Sequence, residues 1–299
     1  MPSGKAARRH RRRVDGPDSL RSSRKARTTR QFEQRSAWWD QGYEQTSLEA
    51  RILRRRQQVA LTWIEQLSRS HPAGLRVLEI GCGAGATAVE LARRGHLVAA
   101  LDRSPAMLER TQDHAVTSGV GELVTPILGD AQRLGFATGS FDVVLALGVL
   151  SWLEEPNAAI SEMARVTRPD GHVLVTSLNS LDLARLLDPR RTPLLAPAKS
   201  AARVTAAALG RRPRDRVRPT RHPSWSVQWR LRRSGLVPIR QATVGFGPFT
   251  YLGKTLLSGN HAVRVDQALQ HRADHHSALL RACGRLHLIL ALKPDPGKI

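Results

Sequence analysis

The stretch VLEIGCGAGATAVELA, residues 77–92, constrains the fold of this chain more than any other. A short run of strand-forming apolar residues enters Gly81, Gly83 and Gly85 directly, and a helical pattern leaves them. Glycines in such a turn let the backbone bend tightly and let a ligand approach it. A helix starting behind the turn offers unbonded N–H groups and partial positive charge. Dinucleotide pyrophosphates are bound by the spacing GxGxxG. Here the spacing is GxGxG, with an acid, Glu79, in front of it. A carboxylate beside the turn opposes a phosphate and favours a cationic ligand, which argues against a nicotinamide oxidoreductase. Taken alone, the motif also fits a plain strand-to-helix turn.

The pattern of the chain beyond the turn decides between these. Short apolar runs recur at LRVLEI (75–80), LVAALD (97–102), ELVTPILGD (122–130), FDVVLALGVL (141–150) and HVLVTSLN (172–179). Helical stretches alternate with them: TAVELARRG closed by Gly95, SPAMLERTQDHAVTSG (104–119) and NAAISEMARVTR (157–168). Ser104 is placed to cap the second of these and Pro105 sits in its first turn. Pro126 weakens the third strand, because it removes a ladder donor. Near-continuous apolar strands at βαβ spacing predict a parallel sheet covered by helices on both faces. Beyond residue 180 the pattern is looser: an Ala-, Arg- and Pro-rich segment (183–222), a helix (224–234), a strand (236–246), a mixed insertion (247–284) and a last strand (285–294). Before the core, Leu48, Ile52, Val59, Leu61, Ile64 and Leu67 recur at helical spacing within 31–70, with Trp38, Trp39 and Tyr43 on a first helix. The expected organisation is a disordered basic tail (1–30), a helical cap (31–74) and a catalytic domain (75–299) with insertions at 183–222 and 247–284.

The net charge of +22 is confined to two segments. Residues 1–30 hold 11 Lys/Arg against 2 Asp, and residues 189–240 hold 14 against 1, which leaves the rest of the chain neutral in sum. The tail has too little apolar surface to offset chain entropy, hence the expected disorder. Both segments are candidate contacts for an anionic partner, and both also read as solvated, charge-rich chain. No apolar run is long enough to span a bilayer and no secretory leader is evident, so a cytoplasmic location is the expectation. Cys82 and Cys283 form no CxxC pair, which predicts neither a disulfide framework nor a metal site.

Four further positions carry chemistry. Asp102 ends the second strand, 17 residues beyond Gly85, where an acid accepts hydrogen bonds from ribose hydroxyls. Asp130 ends the third, where it serves either an adenine amino group or an Asx turn. Leu147 and Gly148 stand at the carboxyl end of the fourth strand, where ligands of open α/β sheets bind. In this order the blocks resemble class I S-adenosylmethionine-dependent methyltransferases, most closely the small-molecule branch of ubiquinone and menaquinone biosynthesis. VLEIGCGAGATAVELARRG, LDRSPAMLERTQ, GDAQRLGFATGSFDVVLALGVLSWLEEP and EMARVTRPDGHVLVTSLN carry that resemblance over residues 75–180. It implies a Rossmann-like α/β fold with a seven-stranded, mostly parallel sheet, and S-adenosyl-L-methionine as cofactor. It further implies Glu79, Gly81 and Gly83 at the methionine moiety, Cys82 of the same turn as a cofactor-binding position, Asp102 on the ribose, and Arg103 and Met107 against the adenosine. Asp130 and Ala131 then stand at the adenine edge, with Leu147 and Gly148 near the methyl group. Two departures stand out. Ser151-Trp152 replaces a His pair common in relatives, so no base role transfers, and Leu134-Gly135-Phe136 stands where Leu-Pro-Phe is usual.

Methyl transfer is a displacement on an already activated cofactor, so positioning supplies much of the catalysis. No catalytic residue is assigned. His222 and His261 make no triad, and Cys82 reads as a small buried residue. Trp38, Trp39, Tyr43, Trp152, Trp225, Trp229, Phe246, Phe249 and Tyr251 are candidates for lining an aromatic or lipid-like acceptor pocket, or for ordinary core. The expected function is methylation of a small or lipid-like molecule. The alternatives are an RNA or DNA methyltransferase using the basic segments, or a non-catalytic S-adenosylmethionine-binding protein. Against the first, the turn after the fourth strand reads Leu147-Gly148-Val149-Leu150 and lacks the Asp/Asn-Pro-Pro-aromatic pattern of base amino-group methylation.

Overall fold

A computed structural model of the chain describes residues 17–34, 46–192, 195 and 217–298. One seven-stranded sheet organises it. Its strands are β1 (Arg76–Ile80), β2 (Leu97–Asp102), β3 (Val124–Leu128), β4 (Phe141–Ala146), β5 (Thr167–Leu178), β6 (Val237–Val244) and β7 (Leu286–Leu292). The order across the sheet is β3-β2-β1-β4-β5-β7-β6. β3 through β5 pair in parallel, and β7 lies antiparallel between β5 and β6. The chain therefore leaves β1 toward β2 and β3, then returns to the other side of β1 at β4. That reversal opens a crevice beyond the carboxyl ends of the strands.

Period-two alternation assigns the two faces of the sheet. Leu78, Ile80, Val144 and Val175 point to one apolar cluster, closed by α5 (Pro156–Val166) through Ile160 and Met163 and by α7 (Ser224–Arg233) through Val227 and Leu231. Val77, Val98, Leu145 and Leu174 point to the other. It is closed by α2 (Leu48–Ser68), α3 (Ala86–Ala92) and α4 (Pro105–Thr117) through Ile64, Leu91 and Ala115. Caps fix where two of these helices begin. The Ser47 hydroxyl accepts from Ala50 N, and the Ser104 hydroxyl accepts from Met107 N at 3.4 Å, as the sequence pattern expects of Ser104.

Several details differ from expectation. Pro126 does lie in β3, opposite Ala100, because β3 is an edge strand where a missing donor breaks no inner ladder. β5 begins at Thr167 rather than 172, and Pro169-Asp170-Gly171 form an irregularity within the strand, with the register against β4 shifting there. The tail is helical from Pro17: α1 (Pro17–Glu33) covers the second half of the segment expected to be disordered. Its contacts explain this, since Lys25 pairs with Asp130 at 3.0 Å and the Phe32 ring meets Trp152 edge-on at 4.9 Å. Residues 1–16, like Trp38, Trp39 and Tyr43 and most of 193–216, lie outside the described residues.

The insertion at 247–284 contains a two-stranded ribbon (Thr250–Tyr251 with Lys254–Thr255), α8 (Gly259–His275) and α9 (Ala278–Cys283). Buried polar side chains dock α8: Asp266 accepts from Phe246 N at 2.7 Å, and Gln270 accepts from Gly245 N at 2.9 Å. Between Asp182 and Ser224 a short helix, α6 (Leu183–Leu187), precedes the largely undescribed stretch. Among the described residues no helix is long and apolar enough to cross a membrane.

Ile160 is fully buried where α5 meets the sheet. Ile160→Ala is expected to lower stability by about 2–5 kcal/mol, read from the urea midpoint at unchanged slope. A loss below about 1 kcal/mol would mean that the α5 face is not closely packed.

Candidate active site

A cavity of about 390 Å³ lies in the crevice beyond the carboxyl ends of β1, β2, β4 and β5. The sheet brings together there residues that are far apart in the chain. Gly81, Cys82 and Gly83 leave β1, Asp102 and Arg103 leave β2, and Leu147 and Gly148 leave β4. Glu79, Met107 and Ala131 complete the group, so ten of the eleven positions expected to hold a cofactor line this one cavity. Asp130 is the eleventh and is not in the lining. Its carboxylate accepts from Gln132 N at 3.0 Å and from Lys25 Nζ at 3.0 Å. Burial would raise its pKa, but the Gln132 amide and Lys25 more than offset this and hold it below the usual range.

Two acids, Asp102 and Glu79, stand in the lining. The Asp102 carboxylate accepts from Gly83 N at 3.0 Å, Arg103 N at 2.7 Å and Ser104 N at 3.0 Å. Burial raises its pKa against the pull of those three amides. Glu79 is 3% exposed, and its Oε2 has no hydrogen-bond partner among the described residues. Burial pushes its carboxyl up to about 8 against Arg56 and the Thr87 hydroxyl, with the Asp102 charge adding to the rise and the Ala88 amide opposing it. A cation placed beside these two acids would relieve both.

Glycine is required at two points of the lining. Gly83 has a φ of +57° and a Cβ there would meet nothing within 4 Å, so the backbone is open to a ligand. Gly148 has a φ of +87°, and a Cβ would stand 2.7 Å from Arg56 Nη1. Cys82 is buried, its thiol pushed well up by burial and then by Glu79 and Asp102, which opposes a thiolate nucleophile.

Of the aromatic candidates in the described residues, only Trp152 lines the cavity. Trp225 and Trp229 are 70% and 50% exposed on α7, and Phe246 is core. Phe249 and Tyr251 are absent from the lining. His222 is buried outside the lining, its pKa lowered by burial, and His261 is exposed on α8. The cavity also takes residues that no motif announced: Thr28, Thr29 and Phe32 from α1, Arg56 from α2, Ser177 from β5, and Arg221 and Arg285 from outside the βαβ core. Helical periodicity places Arg56 on α2, but only the fold shows that its face meets Glu79.

A family model described as a methyltransferase domain matches residues 78–175, from β1 into β5. Residues 78–175 are a class I methyltransferase domain. S-adenosylmethionine is the methyl donor in this family. Similar curated proteins include ubiquinone biosynthesis O-methyltransferase of Xanthomonas axonopodis pv. citri (strain 306), 31% identical over 142 residues, which are 48% of this chain and 56% of that protein. The same enzyme of Pseudomonas aeruginosa (strain LESB58) is 31% identical, with 58% of its length covered. The chain thus spans about half the length of the curated relatives it matches. Among solved structures, magnesium protoporphyrin IX methyltransferase from Synechocystis PCC 6803 with bound SAH superposes with a TM-score of 0.54 at 19% identity, over 92% of this chain and 96% of the other. A putative methyltransferase of Haloferax volcanii, in complex with the Trm112 activator, gives 0.57 at 16%, over 88% and 98%. At these identities the likeness is one of fold.

The methyltransferase domain carries a pH signature at Glu79. Its carboxyl ionises near 4.5 when unfolded and about 8 when folded. Between those values the folded state holds the extra proton, so stability falls as pH rises through this window. Urea unfolding at pH 5 and pH 8 is expected to show a smaller loss for Glu79→Gln than for wild type, the difference not exceeding about 1.4 kcal/mol per pH unit. Identical pH dependence would mean that Glu79 ionises normally.

Proposed function

We propose that this chain transfers a methyl group from S-adenosylmethionine to a small or lipid-like acceptor held in the same cavity. The observation that carries the reading is the buried, unpartnered Glu79 Oε2 in a lining that also holds Asp102. That pair of acids suits a ligand with a sulfonium, an ammonium and a ribose, and it repels a pyrophosphate. When bound, S-adenosylmethionine supplies an activated methyl group on a sulfonium.

In this reading the chain's own residues bind and orient. Glu79 faces the cationic methionine moiety, and Arg56, 6% exposed beside it, offers positive charge to the methionine carboxylate. Asp102 accepts the ribose hydroxyls. Met107, Leu101 and Ala131 form apolar walls for the adenosine, and the open backbone at Gly83 admits close approach. Asp130, engaged by Lys25 and Gln132, contributes through the turn it stabilises more than through a free carboxylate. Phe32 and Trp152 meet edge-on in the lining and add apolar surface to it. A proton acceptor is needed only for an acceptor that must lose a proton. The small-molecule reading draws on the ubiquinone-biosynthesis relatives, which match 142 residues of this chain at 31% identity. The nucleic-acid alternative rests on 1–30 and 189–240, much of which lies outside the described residues.

Calorimetry with S-adenosylmethionine tests the reading, with NADH as control. Wild type is expected to bind the first and not the second, and Asp102→Ala to weaken binding by about tenfold or more, roughly 1.4 kcal/mol. A well-folded protein that ignores S-adenosylmethionine would sink it. Binding without turnover across small-molecule, lipid and RNA acceptors would favour the non-catalytic alternative.

A further inference from the structure

The cavity has two ends. Glu79 and Asp102 stand beyond β1 and β2, whereas Arg221 and Arg285 line the part beyond β5 and β7. Neighbouring strands are about 4.8 Å apart, so the end of β5 lies roughly 10 Å from that of β1. A methyl acceptor has to fit between the donor and this second end.

The second end holds more guanidinium than its acids balance. Arg221 Nη1 donates to Asn179 O at 3.0 Å and to Asp182 Oδ2 at 3.3 Å. Arg285 Nη2 reaches Glu49 Oε1 at 3.3 Å and its Nη1 reaches Gly247 O at 3.5 Å, both long bonds. Arg185 and Arg191 stand close behind, linked by Arg185 Nε donating to Arg191 O at 2.8 Å. Asp188 faces the same group but is taken up by the Thr250 hydroxyl at 2.7 Å and Arg190 N at 2.9 Å. Burial first, then the like charges of Arg185, Arg285 and Arg191, bring the Arg221 guanidinium down to about 10 despite Asp182. A guanidinium offers five N–H donors in a fork that matches an oxyanion.

A second observation points the same way. Ser177 is 2% exposed and lines the cavity, and its hydroxyl has no hydrogen-bond partner among the described residues. It stands at the end of β5 where the Arg221 segment is fastened, since His222 N donates to Leu178 O at 2.9 Å and Thr220 N to Ser151 O at 2.6 Å. A buried hydroxyl without a partner is costly, and a bound acceptor group would remove that cost.

We propose that Arg221 and Arg285, with the Ser177 hydroxyl, form an oxyanion subsite that holds a carboxylate or phosphate carried by the methyl acceptor. This rests on the reading of the cavity as a shared donor and acceptor site. The subsite selects acceptors by charge, while the wall of Trp152, Leu178 and Leu286 takes their apolar part. It also orients the reacting atom toward the donor end, since a bidentate clamp fixes direction as well as affinity.

The test is calorimetric titration of the full chain with inorganic phosphate and with benzoate, at constant ionic strength, with and without SAH. Wild type is expected to bind one of the two at millimolar concentration, and the one it prefers distinguishes phosphate from carboxylate. Arg221→Gln/Arg285→Gln is expected to weaken that binding by about tenfold or more and to leave SAH affinity unchanged. Because Arg221 partners the buried Asp182, Arg285→Gln alone, whose partner Glu49 is half exposed, serves as the variant with less risk to folding. It is expected to weaken binding several-fold. No oxyanion binding by wild type, or equal binding by both variants, would overturn the proposal. So would a parallel loss of SAH affinity, which would assign the arginines to the donor's own carboxylate. Arginine-dependent oxyanion binding by a chain that does not bind SAH would support the subsite and sink the methyl-transfer reading instead.

Discussion

Three backbone N–H groups converge on the Asp102 carboxylate, and they set the geometry of the cavity. Gly83 N belongs to the turn after β1, whereas Arg103 N and Ser104 N belong to the turn after β2. One side chain thus ties two loops at adjacent strand ends. The parallel register beneath them sets Ile80 beside Leu101, and Gly81 N and Cys82 N both donate to Leu101 O, at 2.7 and 3.1 Å. Burial disfavours a charged Asp102, and the three amides oppose that effect. The carboxylate is thereby kept at the cavity wall, with Ser104 in place to start α4 and Met107 carried into the lining.

Charge then divides the cavity. Glu79 has an oxygen without a partner among the described residues, and burial holds its carboxyl up to about 8, a state that a bound cation would shift. At the other end, Arg221 and Arg285 face an apolar wall with a buried hydroxyl nearby. A ligand with a positive centre and one with a negative group would sit without conflict only if each took its own end. The order of the strands enforces that separation, because β4 lies between β1 and β5.

The donor half was legible because its signals are local. Near-continuous apolar runs marked β1, β2 and β4, and the GxGxG turn and the acid at the end of β2 lie within 25 residues of each other. Resemblance implied seven mostly parallel strands but the order of the sheet was not read, since nothing in β7 itself says that it inserts between β5 and β6. Local composition misled at α1: a segment poor in apolar residues forms a helix because Phe32, Lys25 and Glu33 find partners on the methyltransferase core. It was silent at α8, where the buried positions include Asp266 and Gln270, which bond to the backbone of β6 and the residues just after it. Arg56, Arg221 and Arg285 were illegible for a related reason. An arginine reads as surface in a chain this basic, and only the tertiary fold separates the few that face the cavity from the many that face water.

The extent of the family match has the same physical basis. Residues 78–175 contain the elements that present Glu79, Gly83, Asp102, Met107 and Gly148, and a shared donor would constrain them. Phe32, Glu49, Ile52, Arg221, Arg285 and Leu286 line the rest of the cavity and all lie outside that span. They come from α1, from α2, and from the segments that lead into α7 and β7, elements attached to the sheet at its edges and ends. Such elements can change their cavity-facing side chains without disturbing the β1–β2 register or the Asp102 bonds. Likeness to known methyltransferases therefore carries information about the donor and very little about the acceptor, and the charge of the acceptor has to be read from the arginines themselves.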